Sequence, residues 1–549
     1  MREPGQLITH FQLNLGGRNA PEELMRSLLE IMVESSLHMP DVATLVIHDP
    51  RLHWIDNELI KPGQELQVWV TDPATGQESR EPIFDGEIVE LEPEFTPATH
   101  SLTVRAFDRL HRLTRGRRVR SFQDVTDGDV VRLIAEEVRL EPDTAETRQV
   151  HSYLLQCNQT NLEFLRERAA AHGYLLYAYG KKLCFKPLTH DESIELQWGK
   201  SLLEFRPRLT TLSQVGMVQA RGWDPITRQE LLAQISDGQG MRDIGQKQSG
   251  GELVKQAFRL ETNHLIVDRP VRTQSGAENL AQAVADRVAE SFVEAEGVCA
   301  GNPGLVAGVS ILVSAVGQQF SGKYFVTSAS HVHNAHDGYV TRFTISGQSP
   351  ASLLRLLRSD KERNHSEFFL VLGVVTDNRD PQGWGRVRVK YPGLSSDHTS
   401  DWARVVAIGA GPGRGIEFLP EVNDEVLIGF EMGDVHHPYV LGGLWNGQDA
   451  PPKKSDQIVS NGRVRQRIIR SRSGHMITLD DDDGGILLAD RDGNRVQLNR
   501  KGIAIAHQNG NSLTLQSGKL DINVKGRISI EATDEVSING SFVKLNCKV

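Results

Sequence analysis

The chain has 549 residues, with 61 Lys or Arg against 71 Asp or Glu, which gives a formal net charge of −10 at pH 7. The length favours three or four domains, and the acidic balance argues against nonspecific nucleic-acid binding. No apolar run approaches the ~20 residues that a transmembrane helix needs. The first residues also lack the basic-then-apolar pattern of a secretory signal, so we expect synthesis in the cytoplasm.

The composition also limits the fold and the chemistry. Glycine is abundant, at 50 residues, and helical periodicity is scarce. Both features favour a mainly β protein. The four cysteines are widely spaced and form no CxxC or CxxH pattern. We therefore expect no structural zinc site, no disulfide framework and no cofactor.

Residues 1–126 alternate apolar and polar side chains, as at 64–70, 83–91 and 102–106, and predict a first β-barrel. A helix is predicted at 21–34 inside this segment. Pro21 suits its first turn. Its apolar stripe would contain Leu24, Leu28, Ile31 and Met32.

Residues 127–199 change character and predict an α/β insertion. One amphipathic helix would present Val130, Val131, Ile134 and Val138, and a second at 162–172 would end at Gly173. Residues 200–350 return to strands and predict a second β-barrel. A long helix from about 275 to 294 interrupts it, with a stripe of Leu280, Val284, Val288 and Phe292.

Residues 351–367 predict a connector with a short helix at 351–363. Five short strands follow within residues 368–446, at 369–377, 385–391, 402–407, 425–430 and 439–444, punctuated by Gly, Pro and Asp. Five strands in so short a stretch are typical of an OB-fold barrel. A polar linker at 447–473 leads to the last segment.

Residues 474–549 repeat short apolar-x-apolar pairs whose first members lie seven to ten residues apart, with Gly-containing turns between many of them. Residues two apart in a strand share a face, so each unit offers two side chains to one core. Strands this short bury a core only by stacking, as in a β-helix or prism about 40 Å long. The predicted core of this rod is Ile477, Leu479, Ile486, Leu488, Val496, Leu498, Ile503, Ile505, Leu513, Leu515, Leu520, Ile522, Ile528, Ile530, Val536, Ile538, Val543 and Leu545.

Histidine pairs are the first candidates for a metal site. His331 and His333 would share a strand face, with His336 nearby, but we favour a structural role over metal binding. His436 and His437 are adjacent, so on a strand they would point to opposite faces. We therefore predict no metal site at either pair.

Other clusters also have simpler explanations. The run Asp480, Asp481, Asp482 and Asp483 lacks the alternating ligands of a calcium loop and favours a solvated turn, although three copies brought together could attract a cation. The glycine-rich stretch at 409–415 lacks the Lys-Ser/Thr of a phosphate loop. The arginines at 112–120 favour a solvated turn over an anion site, or a place at a subunit interface. No catalytic motif stands out, so we predict no enzyme.

The stretch Val374-Val375-Thr376-Asp377-Asn378-Arg379-Asp380-Pro381-Gln382-Gly383-Trp384-Gly385-Arg386-Val387 resembles the opening of the OB domain in VgrG and phage baseplate spike proteins. The stretches at 402–405, 411–415, 419–430 and 433–446 continue the resemblance in order. Weaker matches lie upstream, at 161–165, 173–174, 218–224 and 322–328. The resemblance therefore covers nearly the whole chain.

This resemblance implies a hub fused to a spike. Two hub barrels per chain would assemble as a homotrimer, the OB domain would form a collar, and three C-terminal segments would build a triple-stranded β-helix. The implied partners are inner-tube proteins and baseplate components, a PAAR-like tip protein, and transiently the target membrane, but no nucleic acid. The implied function is force transmission at the tip of a contractile injection system, in a particle assembled in the bacterial cytoplasm and then released or anchored in a membrane.

Departures from the two known groups favour an extracellular contractile injection system, a phage-tail-like particle. Compared with type VI secretion VgrG proteins, we expect no longer N-terminal opening and no effector domain after the short rod; compared with some phage spikes, we expect no lysozyme-like domain between the OB region and the rod. A type VI secretion VgrG and a phage tail spike stay open as alternatives. A tail-associated cell-wall hydrolase and a carbohydrate-binding adhesin are alternatives of other classes.

Overall fold

The computed structural model describes residues 11–37, 39–71, 79, 81–97, 100–187, 193–236, 238, 243–268, 270–334, 338–346, 370–393 and 399–544. Its helices are α1 Glu22–Ser27, α2 Asp127–Glu137, α3 Asn161–His172, α4 Gly250–Phe258, α5 Gln274–Glu290 and α6 Ser455–Ile458. Two 3-10 helices are described, Arg109–Thr114 and Glu431–Gly433. The fold is mainly β, as predicted.

The strands before the OB region are β1 Phe11–Leu15, β2 Arg18–Asn19, β3 Leu28–Ser36, β4 Val42–His48, β5 Glu65–Val70, β6 Phe84–Phe95, β7 His100–Asp108, β8 Arg118–Phe122, β9 Val125–Thr126, β10 Glu141–Thr144, β11 Val150–His151, β12 Leu154–Gln159, β13 Leu175–Tyr179, β14 Lys182–Lys186, β15 Ser193–Gln197, β16 Leu202–Leu209, β17 Met217–Asp224, β18 Gln229–Ile235, β19 Asp243–Ile244, β20 Asn263–Ile266, β21 Val293–Ala300, β22 Ser310–Ser314, β23 Gly322–Phe325, β24 Ser328–Asn334 and β25 Gly338–Ile345.

The later strands are β26 Leu370–Asp377, β27 Arg386–Lys390, β28 Ala403–Val405, β29 Glu425–Phe430, β30 Pro438–Gly443, β31 Val459–Ser460, β32 Arg463–Val464, β33 Gln466–Arg470, β34 Met476–Asp480, β35 Gly485–Ala489, β36 Arg495–Asn499, β37 Gly502–Ala506, β38 Ser512–Gln516 and β39 Lys519–Asn523.

An eleven-stranded sheet, which we call the hub sheet, dominates the first part of the chain. Its order is β16-β21-β25-β24-β3-β4-β7-β6-β5-β1-β2. Strands β3 and β24 pair antiparallel at its centre, with Met32 opposite Val332. The two regions that the sequence predicts as hub barrels therefore share one continuous sheet, held together by backbone hydrogen bonds between strands about 300 residues apart in the chain.

The predicted helix at 21–34 is wrong in its second half. Helix α1 ends at Ser27, and β3 begins at Leu28. Leu28, Ile31 and Val33 are all buried. A register shift between Leu28 and Glu30 changes the phase of the strand, so the first two buried residues lie three apart. That bulge imitates the spacing of a helical stripe, which explains the error.

The helices of the α/β insertion match the predictions more closely. Thr126 caps α2 and Thr160 caps α3, each in a capping box with an acidic residue three positions later. Gly173 ends α3 with a left-handed φ of 66°, as predicted. Three of the predicted α2 stripe residues, Val130, Val131 and Ile134, are fully buried.

The predicted face of α5 is wrong. The helix ends at Glu290, and Phe292 lies beyond it in the core. The buried apolar residues of α5 are Ala277, Ala281 and Ala285, which pack with β17 and β18, whereas Leu280 and Val284 contact the same cluster but are only partly buried. Small side chains let the helix lie close to the sheet. The size of the apolar side chains therefore did not predict which face of the helix is buried.

Five strands close the predicted OB-type barrel in the order β26-β27-β28-β30-β29. Its core is filled by side chains that alternate along the strands, including Val375, Val387, Val389, Val426 and Ile428. The predicted connector at 351–367 lies outside the described residues.

The chain divides into two compact units, Met1–Gly443 and Leu444–Val549. The second unit contains a seven-stranded sheet, β33 to β39, in which each strand pairs antiparallel with the next; we call it the rod sheet. Glycines at the predicted turns Gly493, Gly510 and Gly518 take positive φ angles of 100°, 91° and 72°. Strand β33 lies within the segment predicted as a linker.

Candidate assembly surface

The register of the rod sheet aligns six of the predicted apolar pairs. Each pair lies directly opposite the next, so the side chains form two columns on one face. We call these twelve residues the apolar ladder. They are Ile477, Leu488, Val496, Ile505, Leu513 and Ile522 in one column, and Leu479, Ile486, Leu498, Ile503, Leu515 and Leu520 in the other.

The apolar ladder is largely uncovered in a single chain. Ten of its twelve side chains are between 38% and 58% exposed, and Val496 and Leu513 are half-buried. The opposite face of the sheet is mixed: Thr478, Gln497, Thr514 and Asp521 alternate with Ile468, Leu487 and Ala504. A contiguous apolar face of this extent marks a surface that another protein surface covers.

One member of this face was missed by the sequence analysis. Ile469 in β33 lies opposite Ile477 and is 52% exposed. The neighbouring position on the same face is Arg467, opposite Leu479, so β33 has one apolar residue where the other strands have two. The strand therefore lacks the apolar-x-apolar signal that identified the rest.

The last three predicted pairs are not part of the rod sheet. Residues 524–544 contain no strand, and Ile528, Ile530, Val536 and Ile538 are 50% to 70% exposed. Val543 is also exposed, and Leu545 lies outside the described residues. The burial of the eighteen predicted core residues in an assembly stays a prediction.

The acidic run between β34 and β35 forms a turn. Asp480 Oδ1 accepts hydrogen bonds from the backbone N–H groups of Asp482 and Asp483, both at 3.1 Å. The side chain of Asp482 pairs with Arg465 at 3.1 Å, and that of Asp481 pairs with Arg467. These hydrogen bonds and ion pairs show that the acidic run forms a turn and pairs with arginines of its own chain.

The first histidine pair lies in the hub sheet. His331 is fully buried, with Nδ1 at 2.9 Å from the Tyr339 hydroxyl and 3.3 Å from Thr341 Oγ1. Burial lowers the pKa of His331 to about 4, so the ring is neutral at pH 7. His333 packs edge-on against Phe11, and His336 lies outside the described residues.

The second histidine pair joins the hub to the OB barrel. The backbone N–H of Leu155 donates to His436 Nε2 at 3.0 Å, and His436 Nδ1 lies 2.8 Å from Asp434 Oδ1. Burial raises the pKa of Asp434, but its bonds to His436 outweigh that effect and lower the pKa to about 2. Arg272 of the hub also forms an ion pair with Glu431 of the OB region.

The arginines at 112–120 form ion pairs within the chain. Arg112 pairs with Glu87, Arg117 with Glu163 at 2.9 Å, and Arg118 and Arg120 both with Glu137. Three glutamates therefore pair with four of the five arginines, and these ion pairs join segments of the hub. The glycine-rich stretch at 409–415 forms a tight loop in which Gly411 and Arg414 bond to each other through the backbone.

Two buried polar centres gave no signal in the sequence. Arg109, only 1% exposed, bonds Asp85 at 2.9 Å and Glu65 at 3.0 Å. Burial raises the pKa of Asp127, but hydrogen bonds from His151 and His172 hold it well below its usual value. The partners lie 24 to 45 residues from the residue they surround, so no local spacing reveals them.

Across the parts of the chain that the structure describes, no group of three or more His, Cys, Asp or Glu is arranged to hold a metal ion. Among those same residues, no helix is both long enough and apolar enough to cross a membrane.

Cys184 and Cys299 are buried free thiols, and burial raises the pKa of Cys299 to about 12.

Three family models match the chain. Residues 371–445 match the type VI secretion system/phage-baseplate injector OB domain, and residues 466–543 match the phage baseplate V C-terminal trimerisation domain. Together with the hub, these domains define a baseplate spike protein. Residues 6–334 match the Alg8 N-terminal domain. The chain belongs to the Alg8 N-terminal domain family. Its OB and trimerisation domains are those of VgrG and phage-baseplate spike proteins.

Curated relatives include two type VI secretion system spike proteins of Pseudomonas aeruginosa. VgrG5 is 36% identical over 106 residues, which is 17% of this chain and 13% of the relative. VgrG2a is 24% identical over 123 residues, which is 22% of this chain and 15% of the relative. The chain therefore matches only about one seventh of the length of these relatives.

The fold is similar to that of chains in the PdpA–VgrG complex of Francisella. In the lidded structure the TM-score is 0.53 at 10% identity, over 94% of this chain and 80% of that chain. In the lidless structure of the PdpA–VgrG complex the TM-score is 0.51 at 10% identity, over 94% of this chain and 98% of that chain. At this identity the likeness concerns the fold.

Proposed function

We propose that this protein is the hub and puncturing spike at the tip of the inner tube of a contractile injection system. The observation that carries the proposal is the apolar ladder, a flat face of twelve aliphatic side chains left open in one chain. The same residues fall within the match to a trimerisation domain. Three such faces turned toward one axis would bury each other in a narrow prism.

The mechanical role follows from the hydrogen-bond pattern. Every strand from β33 to β39 pairs with the next, so an unbroken backbone ladder runs through the rod sheet. On the proposed trimer, an apolar core would run beside that ladder along the same axis. A rod with both features resists bending, because bending would break hydrogen bonds and open the core together.

The hub would provide the base for this rod. The hub sheet and the OB barrel share one compact unit, tied by the contacts of His436 and Arg272. We propose that this unit meets the inner-tube proteins and baseplate components, and that a PAAR-like protein covers the tip. The proposed action is force transmission through the target envelope, without catalysis.

Within this class we favour a phage-tail-like extracellular contractile injection system. The proposal rests on the short passage from the OB barrel, whose last strand ends at Gly443, to the rod sheet, whose first strand begins at Gln466, which leaves no room for a lysozyme-like domain between them. The particle would be assembled in the bacterial cytoplasm and then released or anchored in a membrane. Electron micrographs of particles from the source cells, with the spike located by labelling, would separate this assignment from a type VI apparatus or a phage tail.

The central experiment is the mass of the purified full-length chain by sedimentation equilibrium. We expect three times the chain mass at micromolar concentration, because the ladder of one copy requires other copies to cover it. A stable monomer would contradict the spike proposal. A parallel assay with purified peptidoglycan tests the hydrolase alternative, and release of soluble fragments would contradict a purely mechanical role.

A further inference from the structure

A cavity of ≈ 280 Å³ lies in the hub, where the start of α4 meets α5 and the strands β17 and β18. Residues 246–251 form one wall, and Ala285 and Val288 of α5 form another. Met217 and Val218 line the side of the strands. The volume lies just below the range typical of sites for drug-sized ligands, so the cavity suits a smaller molecule.

Two backbone donors line this cavity at the start of α4. Gly250 and Gly251 are the first two residues of the helix, and both are buried. The Ser249 hydroxyl caps the helix by accepting from the N–H of Glu252. In the part of the chain that the structure describes, the N–H groups of the two glycines donate to no acceptor. Free N–H groups at the positive end of a helix favour an anionic oxygen.

A buried side chain on the same wall indicates a ligand independently of the helix. Gln214 is 5% exposed and lines the cavity, with Oε1 beside Gly250. Its Nε2 donates to the Val288 carbonyl oxygen at 2.7 Å and to Ser291 Oγ at 3.1 Å. The carbonyl can only accept, so it fixes the orientation of the amide. Oε1 accepts no hydrogen bond from any described residue, and a donor on a ligand would satisfy it.

Glycine is required on this wall because the backbone of α4 approaches its neighbours closely. A Cβ added to Gly250 would lie 2.2 Å from Gln214 Oε1. A Cβ added to Gly251 would lie 2.4 Å from the carbonyl oxygen of Val215. Both distances are too short for a side chain, so the two glycines keep their N–H groups and the Gln214 amide on one surface.

The charges around the cavity differ from one wall to the other. Helix α4 begins at the cavity with its positive end, and α5 ends there at Glu290 with its negative end. Lys247 also lines the cavity and pairs with Asp243 at 2.8 Å. This arrangement favours a ligand with an anionic group near α4 and an N–H or ammonium group near α5.

We propose that this cavity binds an amino acid with an apolar side chain, either free or as the C-terminal residue of a polypeptide. The α-carboxylate accepts from the N–H groups of Gly250 and Gly251, with Lys247 nearby. The nitrogen on the adjacent carbon donates to Gln214 Oε1, and the side chain packs against Val218. The site does not depend on the proposed spike function, which uses none of these residues.

The test is isothermal titration calorimetry of the purified full-length protein with L-leucine, N-acetyl-L-leucine and L-leucinamide. We expect leucine or its acetyl derivative to bind with a Kd below about 1 mM. Leucinamide lacks the carboxylate and should bind at least about tenfold more weakly. Tighter binding of leucine would identify the free amino acid as the ligand. Equal or tighter binding of N-acetyl-L-leucine, which keeps the N–H without the charge, would identify a polypeptide C-terminus.

Variants of the cavity locate the binding. Val288→Phe fills the cavity and should weaken binding at least about tenfold. The matched control, Val284→Phe, changes the same helix one turn earlier, outside the cavity, and should keep the wild-type affinity. Lys247→Ala should weaken binding about threefold or more. Lys255→Ala removes another exposed lysine of the same region, which pairs with Glu261, and should not.

The comparison of ligands on the wild type keeps the proposal falsifiable if a variant fails to fold. Absence of binding by both carboxylates at about 10 mM would overturn the inference. Binding that Val288→Phe leaves unchanged in a folded protein would also overturn it. Inorganic phosphate that binds as tightly as the amino acid, in competition with it, would overturn the amino-acid assignment and leave a general anion site.

Discussion

The hub sheet and the rod sheet use the same alternation of apolar and polar residues with opposite results. In the hub sheet, Ile31, Leu45 and Val68 are no more than 2% exposed. In the rod sheet, Ile503 and Ile505 are 39% and 47% exposed. The hub sheet has other parts of its own chain packed on its apolar face, and the rod sheet has none among the residues described.

This difference shows that a strand pattern specifies a face without specifying what covers it. Each half-exposed Ile or Leu in the ladder leaves on the order of 1 kcal/mol of apolar burial unused. Twelve such residues on one face make a large driving force for association. The hub sheet is stabilised by packing within its own chain. On the proposed trimer, the rod sheet would be stabilised by packing against other copies of the chain.

The largest effect should come from charge on the apolar ladder. We expect Ile503→Asp with Ile505→Asp to weaken association by about 1000-fold or more, because assembly would bury six carboxylates without partners. Sedimentation equilibrium over a range of concentrations measures this change. Gln497→Asp with Thr514→Asp adds the same charge to the other face and should leave the mass at three chains. Equal behaviour of the two variants would refute the assignment of faces.

Truncation in the hub core should act independently of concentration. Ile31→Ala removes a fully buried side chain from β3 and should lower the free energy of unfolding by about 2–5 kcal/mol. Leu29→Ala, at a position 45% exposed on the same strand, should cost less than about 1 kcal/mol. Urea denaturation followed by tryptophan fluorescence reports on the hub and OB regions and not on the rod sheet, because all seven tryptophans precede residue 466. A urea midpoint for Ile31→Ala that depends on protein concentration would contradict the difference proposed between the hub and the rod.

Acid should destabilise the hub through His331. Its pKa is about 4 when folded, against an ordinary value of 6.5, so the unfolded chain takes up the proton first as pH falls. The contribution is fully present above pH 6.5 and is lost progressively as pH falls toward 4. Between pH 7 and pH 5 this residue should cost about 2 kcal/mol of hub stability.

The matched variants for this prediction are His331→Gln and His264→Gln. The first removes the buried ring, so its urea midpoint should depend less on pH than that of wild type. The second removes an exposed histidine and should keep the wild-type pH dependence. Identical pH profiles for His331→Gln and wild type would show that the ring does not control acid sensitivity.

The smallest effects should come from exposed ion pairs in either sheet. Lys519 pairs with Asp521 at 2.7 Å in the rod, and Arg105 pairs with Glu90 at 2.7 Å in the hub. Because solvent screens both pairs, Lys519→Ala and Arg105→Ala should each change the free energy of unfolding by less than about 1 kcal/mol. Denaturation curves for the two variants check this. A large loss confined to Lys519→Ala would mean that charge, and not only the ladder, distinguishes the rod.

Local signals in the sequence predicted much of the fold. The five OB strands, the capped end of α3 at Gly173 and six apolar pairs of the rod sheet all depend on residues close in the chain. The helix predicted across Ile31 was wrong because a bulge in β3 shifted the strand phase to a helix-like spacing. The face of α5 was wrong because alanines, not the larger residues, approach the sheet.

The candidate surface was predicted in part. The spacing of the pairs placed two side chains per strand on one face, and the register then aligned all six pairs. Ile469 was missed because Arg467 occupies the other position of its pair. The polar centres at Arg109 and Asp127 were beyond prediction, since their partners come together only when distant segments pack.

By itself, the sequence determined where short strands turn and which side chains share a face, because both depend on neighbours a few residues apart. Only the tertiary structure decided that two predicted hub barrels share one sheet through β3 and β24, since that pairing joins residues about 300 positions apart. It also decided that the hub covers its apolar face while the rod leaves its own open. Coverage depends on what the rest of the chain can reach, and local periodicity does not encode it.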